Sequence, residues 1–257
     1  MGVNLNLELT DRCNIRCRMC SQSLRDEAHG APMRHMDFAT WRAALQGLAG
    51  MAEPVHLCPH WLGEPTIHPR FDQLIEYAFA QNAGNRLFRE FKLHTNGVVL
   101  PEPRARLLLR LAHRADQAPN TFRFVHFSID AHSRHAYAYV KGADQRDRVY
   151  ANVTRFLQVR HELGLQRPFV TLAFVVQPGN AHEARAFRDH WLRVLRGLGR
   201  EVAQTPDWPD REVDTLYFRP LNTGDQAASD ALHAQVCREL GIAGESTGDR
   251  LRRPGSF

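Results

Sequence analysis

Six apolar or alternating runs of strand length recur along the 257-residue chain, and a helical pattern follows each of them. Strands are predicted over residues 3–10, 54–62, 90–95, 122–130, 169–177 and 214–221. Helices are predicted over residues 38–50, 70–82, 102–115, 147–163, 182–198 and 227–240. Strands that alternate with helices form parallel sheets. The sequence therefore predicts an α/β fold built from six βα units.

Two of the predicted strands have one polar face. In VNLNLEL at residues 3–9 and in FRFVHFSID at residues 122–130, polar residues recur at every second position, so they share one side of the strand. A parallel strand covered by helices on both faces has a nearly continuous apolar sequence. The polar face therefore favours a barrel lumen that holds a ligand. The exposed face of an open sheet is the alternative.

Composition narrows the class of protein. The chain has no run of about 18 apolar residues and no apolar segment in its first residues, so we predict neither a membrane-spanning helix nor a secretory signal, and a cytoplasmic location. The net charge is +5, and arginines are spread throughout, which is typical of a solvated surface. We expect one domain over residues 1–240 and a polar, mobile tail over residues 241–257.

Three of the five cysteines, Cys13, Cys17 and Cys20, lie within eight positions directly after the first predicted strand. That is the end of the strand at which α/β barrels carry their functional loops. Five cysteines in a chain without a secretory signal do not indicate a disulfide framework. Three thiolates in one loop can bind one metal centre, and soft sulfur ligands favour an iron–sulfur cluster or zinc.

The fourth ligand distinguishes the two metal centres. A structural zinc site has four protein ligands, and its second pair usually comes from another short motif. Cys58 and Cys237 are isolated, although any of the fourteen histidines could close a zinc site. Three cysteines with one open position fit an iron–sulfur cluster better, and zinc stays the alternative.

The spacing C-x3-C-x2-C after a first strand resembles the signature of the radical S-adenosylmethionine enzymes, over about residues 3–240. The resemblance implies a partial (βα)6 TIM-like barrel with helices outside. It also implies that Cys13, Cys17 and Cys20 hold a [4Fe–4S] cluster, whose fourth iron is chelated by the amino and carboxylate groups of S-adenosylmethionine. Met19 stands where the family usually has an aromatic residue beside this cofactor.

The stretch WLGEPTIHP at residues 61–69 resembles the Gly-Gly-Glu motif of this family. The resemblance implies that Gly63, Glu64 and Pro65 recognise the methionyl amino group. A carboxylate accepts charge-assisted hydrogen bonds from an ammonium, and glycine permits close backbone approach. Taken alone, the three residues would indicate only a turn before a helix.

Further cofactor contacts are implied at the ends of later strands. HTNGVVL at residues 94–100 and HFSIDA at residues 126–131 match family patterns. The resemblance places Ser128 and Asp130 near the ribose or the methionyl carboxylate, and Gln177 toward the cofactor. Thr95 and Asn96 are either cofactor contacts or the turn that ends a strand.

Several other residues have two interpretations each. Tyr217 and Arg219 share a strand face, and Arg219 pairs either with an anionic ligand or with a surface carboxylate. His56, Cys58 and His60 alternate along the second strand, so they could line the lumen. Hydrogen-bonded histidines and a structural cysteine are the favoured interpretation of these three.

The resemblance also implies an activity. Members cleave S-adenosylmethionine reductively to a 5′-deoxyadenosyl radical, which abstracts hydrogen from a substrate. Only Cys237 lies in the region where some relatives carry auxiliary clusters, so we expect none. We expect a small-molecule or peptidic natural-product substrate and a one-electron donor such as flavodoxin or ferredoxin.

Two alternative functions are left open. One is a glycyl-radical-enzyme activase from the same family. The other is a non-catalytic nucleic-acid-binding module that carries zinc or a cluster. The second would need clustered basic residues with interleaved aromatic residues, and RLRRPGSF at residues 250–257 is the only compact basic run in the sequence. We therefore do not expect a nucleic acid as a partner. We expect no membrane partner either, because the sequence predicts no membrane-spanning helix.

Overall fold

The computed structural model describes residues 2–23, 34–118, 121–209 and 212–242. Its centre is a seven-stranded sheet in the order β1-β2-β3-β4-β5-β7-β6, and each neighbouring pair is parallel. The strands are β1 (Val3–Asn6), β2 (Val55–Cys58), β3 (Glu90–Thr95), β4 (Phe122–Ser128), β5 (Phe169–Val176), β6 (Val202–Thr205) and β7 (Asp214–Pro220). Because β1 and β6 are two free edges, the barrel is partial.

Helices connect the parallel strands. They are α1 (Phe38–Gly47), α2 (Phe71–Asn85), α3 (Glu102–Ala112), α4 (Arg134–Lys141), α5 (Arg146–Glu162), α6 (Ala184–Gly197) and α7 (Gln226–Leu240). All six predicted strands and all six predicted helices are present in the predicted order, although β1 and β2 are shorter than expected. The predicted α/β fold with a parallel sheet is confirmed.

Two elements, α4 and β6, were not predicted from the sequence. Helix α4 begins after Ser133, whose hydroxyl accepts a hydrogen bond from the Ala136 backbone N–H, and ends at Gly142 in the left-handed region. A serine N-cap and a glycine after the last turn are signals that could have located it. Strand β6 has four half-buried residues at the sheet edge and no alternation that could have located it.

The two faces of the sheet differ. In β4 and just after it, Val125, Phe127 and Ile129 are fully buried in the hydrophobic core. His126 lies on the opposite face, where its ring centroid is 6.3 Å from that of Tyr217 on β7. Because β5 separates these two strands, side chains that meet across it show that this face is concave.

Two further predictions concern membrane-spanning helices and the C-terminal tail. Within the described residues, the structure contains no helix that is both long and apolar enough to cross a membrane. The predicted tail at residues 241–257 lies outside the described residues, except for Gly241 and Ile242, which follow α7.

Candidate functional site

The cysteine loop, residues 10–20, follows β1 at the carboxyl edge of the sheet. Cys13, Cys17 and Cys20 are all half-buried and free. The Arg18 backbone N–H donates to the carbonyl of Val140 on α4 at 3.0 Å, so α4 fixes one side of the loop. Met19 is half-buried in the same loop. The three predicted ligands are therefore held together in one anchored segment.

The thiols of the cysteine loop affect one another electrostatically. Burial raises the pKa of Cys13 to about 12, and the neighbouring Cys17 adds to this effect. Burial also raises the pKa of Cys17, and Cys20 contributes. Such thiols are protonated at neutral pH, so a metal that binds them must displace protons.

The arrangement of the thiols also bears on the kind of metal centre. In the part of the chain that the structure describes, no three His, Cys, Asp or Glu side chains converge on a point where one ion could bind. A cubane cluster binds each thiolate at a different iron atom, so its ligands do not need to converge on one point.

The loop after β2 packs directly on the cysteine loop at Gly63. A Cβ atom at this position would overlap the carbonyl oxygen of Thr10, so only glycine fits. The carboxylate of Glu8 accepts hydrogen bonds from the backbone N–H groups of Leu62 and Gly63 at 2.6 and 2.7 Å. Glu8 thus holds this loop in place, a role that the sequence analysis did not anticipate.

Glu64 joins the second and third strand ends. Its buried carboxylate accepts through Oε1 from the Thr66 N–H and hydroxyl and from the Thr95 hydroxyl, at 3.1, 2.6 and 2.7 Å. Oε2 accepts from the Asn96 backbone N–H at 2.6 Å. Burial raises the pKa of Glu64. Pro65 begins the short 3-10 helix that follows and is buried. The structure therefore brings Glu64, Thr95 and Asn96 together as one network.

The TNG sequence forms a turn that also reaches the cysteine loop. Gly97 has a positive φ of 75°, which explains the glycine. The Asn96 side chain accepts from the Val98 backbone N–H, and its Nδ2 donates to Asn14 at 2.8 Å and lies 3.8 Å from Cys13 Sγ. Asn96 therefore shapes the turn and lies beside a cysteine sulfur, and its contact with the cofactor stays a prediction.

Asp130 and Ser128 belong to a buried charged network with Lys141. Oδ2 of Asp130 lies 2.6 Å from the Lys141 ammonium and accepts from the Ser128 hydroxyl at 2.9 Å. Oδ1 accepts from the Val175 backbone N–H at 2.8 Å. Burial opposes ionisation of Asp130, but the Lys141 ammonium outweighs it and lowers the carboxyl pKa. Asp130 also has a positive φ of 65°, which positions its carboxylate between β4 and β5.

Lys141 is the main residue of the site that the sequence analysis missed. It ends α4 and is 1% exposed. Burial favours its neutral amine, but Asp130 and Cys17 outweigh this effect and raise its pKa. In turn, its positive charge opposes the rise in the pKa of Cys17. A buried cation therefore lies within electrostatic range of the cysteine loop.

Gln177 follows β5 and is buried. Its backbone N–H donates to the side chain of Asn180, which also donates to the backbone carbonyl of Asp130. The Nε2 atom of Gln177 has no hydrogen-bond partner among the described residues. It borders a pocket of about 190 Å³, which Leu221 and Ser229 also line.

The concave face carries a set of rings that we call the ring column: His60, His94, His126, Trp208 and Tyr217. His94 stacks on His126 with ring centroids 4.6 Å apart and on His60 at 5.5 Å. Trp208 stacks on His126 at 5.8 Å and lies edge-on to Tyr217 at 5.7 Å. The sequence analysis favoured hydrogen-bonded histidines here, but His60 is stacked instead.

The other residues predicted on β2 differ from His60. His56 Nδ1 lies 2.6 Å from Glu90, which also pairs with Arg123 at 2.9 Å. Cys58 is buried, and burial raises its pKa to about 12. These two residues fit the structural interpretation that the sequence favoured.

Comparison with known proteins identifies the family. A family model described as Radical SAM superfamily matches residues 7–190. The match contains the cysteine loop, the loop after β2 and the network around Asp130. The chain belongs to the Radical SAM superfamily, an enzyme superfamily, and the resemblance seen in the sequence is confirmed.

The chain is similar in sequence to relatives with different named functions. Over 217 residues the chain is 25% identical to the tungsten-containing aldehyde ferredoxin oxidoreductase cofactor-modifying protein of Pyrococcus furiosus, with 83% of this chain and 54% of that protein covered. It is 32% identical over 206 residues to PqqA peptide cyclase of Methylorubrum extorquens, with 79% and 46% covered. The chain thus spans about half the length of these relatives.

A solved structure shares the fold. The structure described as native anSMEcpe with bound AdoMet and Cp18Cys peptide has a TM-score of 0.55 and 16% sequence identity, with 84% of this chain and 50% of that chain covered. This similarity supports the same partial-barrel architecture.

Proposed function

We propose that the chain is a radical S-adenosylmethionine enzyme in which Cys13, Cys17 and Cys20 hold a [4Fe–4S] cluster. The observation that carries this proposal is the position of the cysteine loop. Three half-buried thiols lie beside the network of Glu64 on one side and the buried Lys141 on the other.

The donor set of the cysteine loop fits such a cluster. Three soft sulfur ligands come from one short segment, and the spacing leaves one iron without a protein ligand. Asn96 supplies an amide donor near Cys13 Sγ, and hydrogen bonds to ligand sulfurs tune cluster potentials. When bound, the cluster supplies the electron that cleaves the S-adenosylmethionine sulfonium in this family.

The cofactor's methionyl end is proposed to lie beside the charged groups of the site. Lys141 offers an ammonium for the carboxylate, and Oε2 of Glu64, which accepts one hydrogen bond from the chain, offers an acceptor for the amino group. Gly63 and Pro65 hold Glu64 in position, and Met19 lies in the cysteine loop nearby.

The remaining predicted residues are assigned to the nucleoside end or to positioning. Ser128 is half-buried and offers its hydroxyl to the ribose, and the unpartnered Nε2 of Gln177 offers a donor. Asp130 is 0% exposed, and both its oxygens accept from the chain. We therefore assign Asp130 as a positioning residue that acts through Lys141 and Ser128.

A peptide is the substrate class that the comparisons support best. One relative is named a peptide cyclase, and a structure with the same fold holds a bound peptide. A small-molecule substrate is the second candidate, because the Pyrococcus furiosus relative is named a cofactor-modifying protein. A one-electron donor such as flavodoxin or ferredoxin would supply the reducing electron.

Metal analysis of the anaerobically reconstituted protein tests the cluster assignment. We expect about four iron and about four sulfide per chain, and loss of most of both in Cys17→Ala. The matched control is Cys237→Ala, because Cys237 is buried in α7 and is not in the cysteine loop. Zinc near one per chain without iron would contradict the proposal and favour the zinc-bearing module.

A further inference from the structure

The three histidines of the ring column have no hydrogen-bond partners in the part of the chain that the structure describes. They are His60, His94 and His126, and Nδ1 of His126 is enclosed. His126 is only 8% exposed. Buried polar atoms in native proteins nearly always have a partner, so an unpaired one indicates a ligand or a water molecule.

The three imidazoles are neutral at physiological pH. Burial lowers the pKa of His60 to about 4 and that of His126 to about 3, and it lowers the pKa of His94 well below the usual value. A neutral imidazole has one donor and one acceptor and no charge. Because the histidine rings already stack on their neighbours, the column offers a ligand their uncharged polar edges and the exposed side of Trp208, which suits a planar ring.

A cation lies at the side of the ring column. Arg219 is two residues after Tyr217 on β7 and is half-buried. Side chains two residues apart on a strand share one face, so Arg219 lies on the face that carries Tyr217. Its charge also lowers the pKa of both His94 and His126. In the described part of the chain, Arg219 makes no hydrogen bond or ion pair.

The other cations that act on the column, Lys92 and Lys141, already have partners, and Lys141 pairs with Asp130. Lys92 also lowers the pKa of His94. Its ammonium lies 4.0 Å from a carboxylate oxygen of Glu90 and 3.3 Å from the side-chain oxygen of Asn4. Arg219 is therefore the better candidate to pair with an anionic group of a ligand.

The ring column lies next to the proposed cofactor site. His94 directly precedes Thr95, and His126 precedes Ser128 by two residues. Two residues of a strand span about 7 Å. A ligand on the column would thus lie in the concave face just below the groups assigned to S-adenosylmethionine.

We propose that the ring column and Arg219 bind the substrate through an aromatic carboxylate: a planar ring packs on the exposed side of Trp208, beside the edge of His126, and an acidic group pairs with Arg219. This inference rests on the proposed function, since it assigns the substrate class of that enzyme. Two kinds of substrate carry an aromatic ring beside a carboxylate. One is a peptide with an aromatic residue near a carboxylate, and the other is a free aromatic acid.

Calorimetric titration of the anaerobically reconstituted full chain, saturated with S-adenosylmethionine, tests the inference. The probes are indole-3-acetate, its neutral amide indole-3-acetamide, cyclohexylacetate and the tripeptide Gly-Gly-Trp. We expect saturable binding of indole-3-acetate that weakens about tenfold in Arg219→Gln. Arg219→Lys should lose less, and Trp208→Leu should also bind more weakly.

Controls separate the ring from the charge. Arg42→Gln removes an exposed arginine on α1 and should bind as the wild type does. Indole-3-acetamide should bind equally to the wild type and to Arg219→Gln, and cyclohexylacetate should bind more weakly than indole-3-acetate. Tighter binding of Gly-Gly-Trp than of indole-3-acetate indicates a peptide source, and the reverse order indicates a free acid.

Three results would overturn the inference: no saturable binding of either indole carboxylate, equal binding by Arg219→Gln, or displacement of the probe by S-adenosylmethionine. The last would assign the column to the cofactor. Formation of 5′-deoxyadenosine without probe binding refutes this inference alone. Probe binding by a chain that assembles no cluster refutes the proposed function alone.

Discussion

The ammonium of Lys141 lies 2.6 Å from a carboxylate oxygen of Asp130, and the two side chains are 2% and 0% exposed. Neither charge can be solvated by water, so each depends on the other. Because Lys141 also acts on Cys17, this pair connects the ends of β4 and α4 to the cysteine loop.

Lys141→Met should lower the free energy of unfolding by about 3–5 kcal/mol, because it leaves the Asp130 carboxylate buried without its cation. The double variant Lys141→Met with Asp130→Asn should lose less than the sum of the two single variants. Urea titration measures both. Arg134→Gln is the control, because the pair of Arg134 with Asp144 is exposed, and its loss should cost at most about 1 kcal/mol. Equal costs for Lys141→Met and Arg134→Gln would contradict the buried-pair account.

The contrast between Cys17 and Lys141 shows how far the sequence could predict the site. The cysteine loop follows from local spacing, and the βα order follows from periodicity, so both were predictable. A lysine in the last turn of a helix usually faces solvent, and only the packing of α4 buries Lys141. Likewise, Glu8 and Asn180 act through contacts that are distant in sequence. Strand β6 escaped because its four residues are all half-buried, so no alternation of polar and apolar residues marks it.

Gly63→Ala should destabilise the protein by about 3 kcal/mol or more, because its Cβ would overlap the backbone oxygen of Thr10. Urea unfolding measures this change. Gly84→Ala is the matched control, since Gly84 lies in α2 and a Cβ there meets nothing within 4 Å. That control should gain about 0.5–1 kcal/mol from its helix propensity. A neutral Gly63→Ala would show that the two loops do not pack as described.

Glu64→Gln should lower the free energy of unfolding by about 2 kcal/mol. A glutamine side chain accepts hydrogen bonds only through its oxygen, so its NH2 group would face one of the N–H or O–H donors that now bond to the carboxylate. The backbone N–H of Asn96 cannot rotate away, so it should lose protection from hydrogen exchange. Glu162→Gln is the control, because the Glu162 side chain is 47% exposed. If Glu64→Gln is as stable as this control, the hydrogen bonds of Glu64 do not hold the loops after β2 and β3 together.

Acid should destabilise the protein through its buried neutral histidines. The folded pKa of His126 is about 3, below the unfolded value of about 6.5. As the pH falls from 6 to 4, the unfolded chain binds a proton that folded His126 does not, so stability falls by up to about 1.4 kcal/mol per pH unit. His126→Phe should reduce the slope of unfolding free energy against pH by about this amount. Identical slopes in urea titrations at pH 6, 5 and 4 would contradict the burial of a neutral ring.

The most direct test of the central claim is the formation of 5′-deoxyadenosine by the anaerobically reconstituted protein with dithionite and S-adenosylmethionine, measured by mass spectrometry. We expect the product to form with the wild type and with Cys237→Ala and to be abolished in Cys17→Ala. A fully assembled cluster that yields no 5′-deoxyadenosine, or yields that do not depend on Cys17, would contradict the assignment of the cysteine loop.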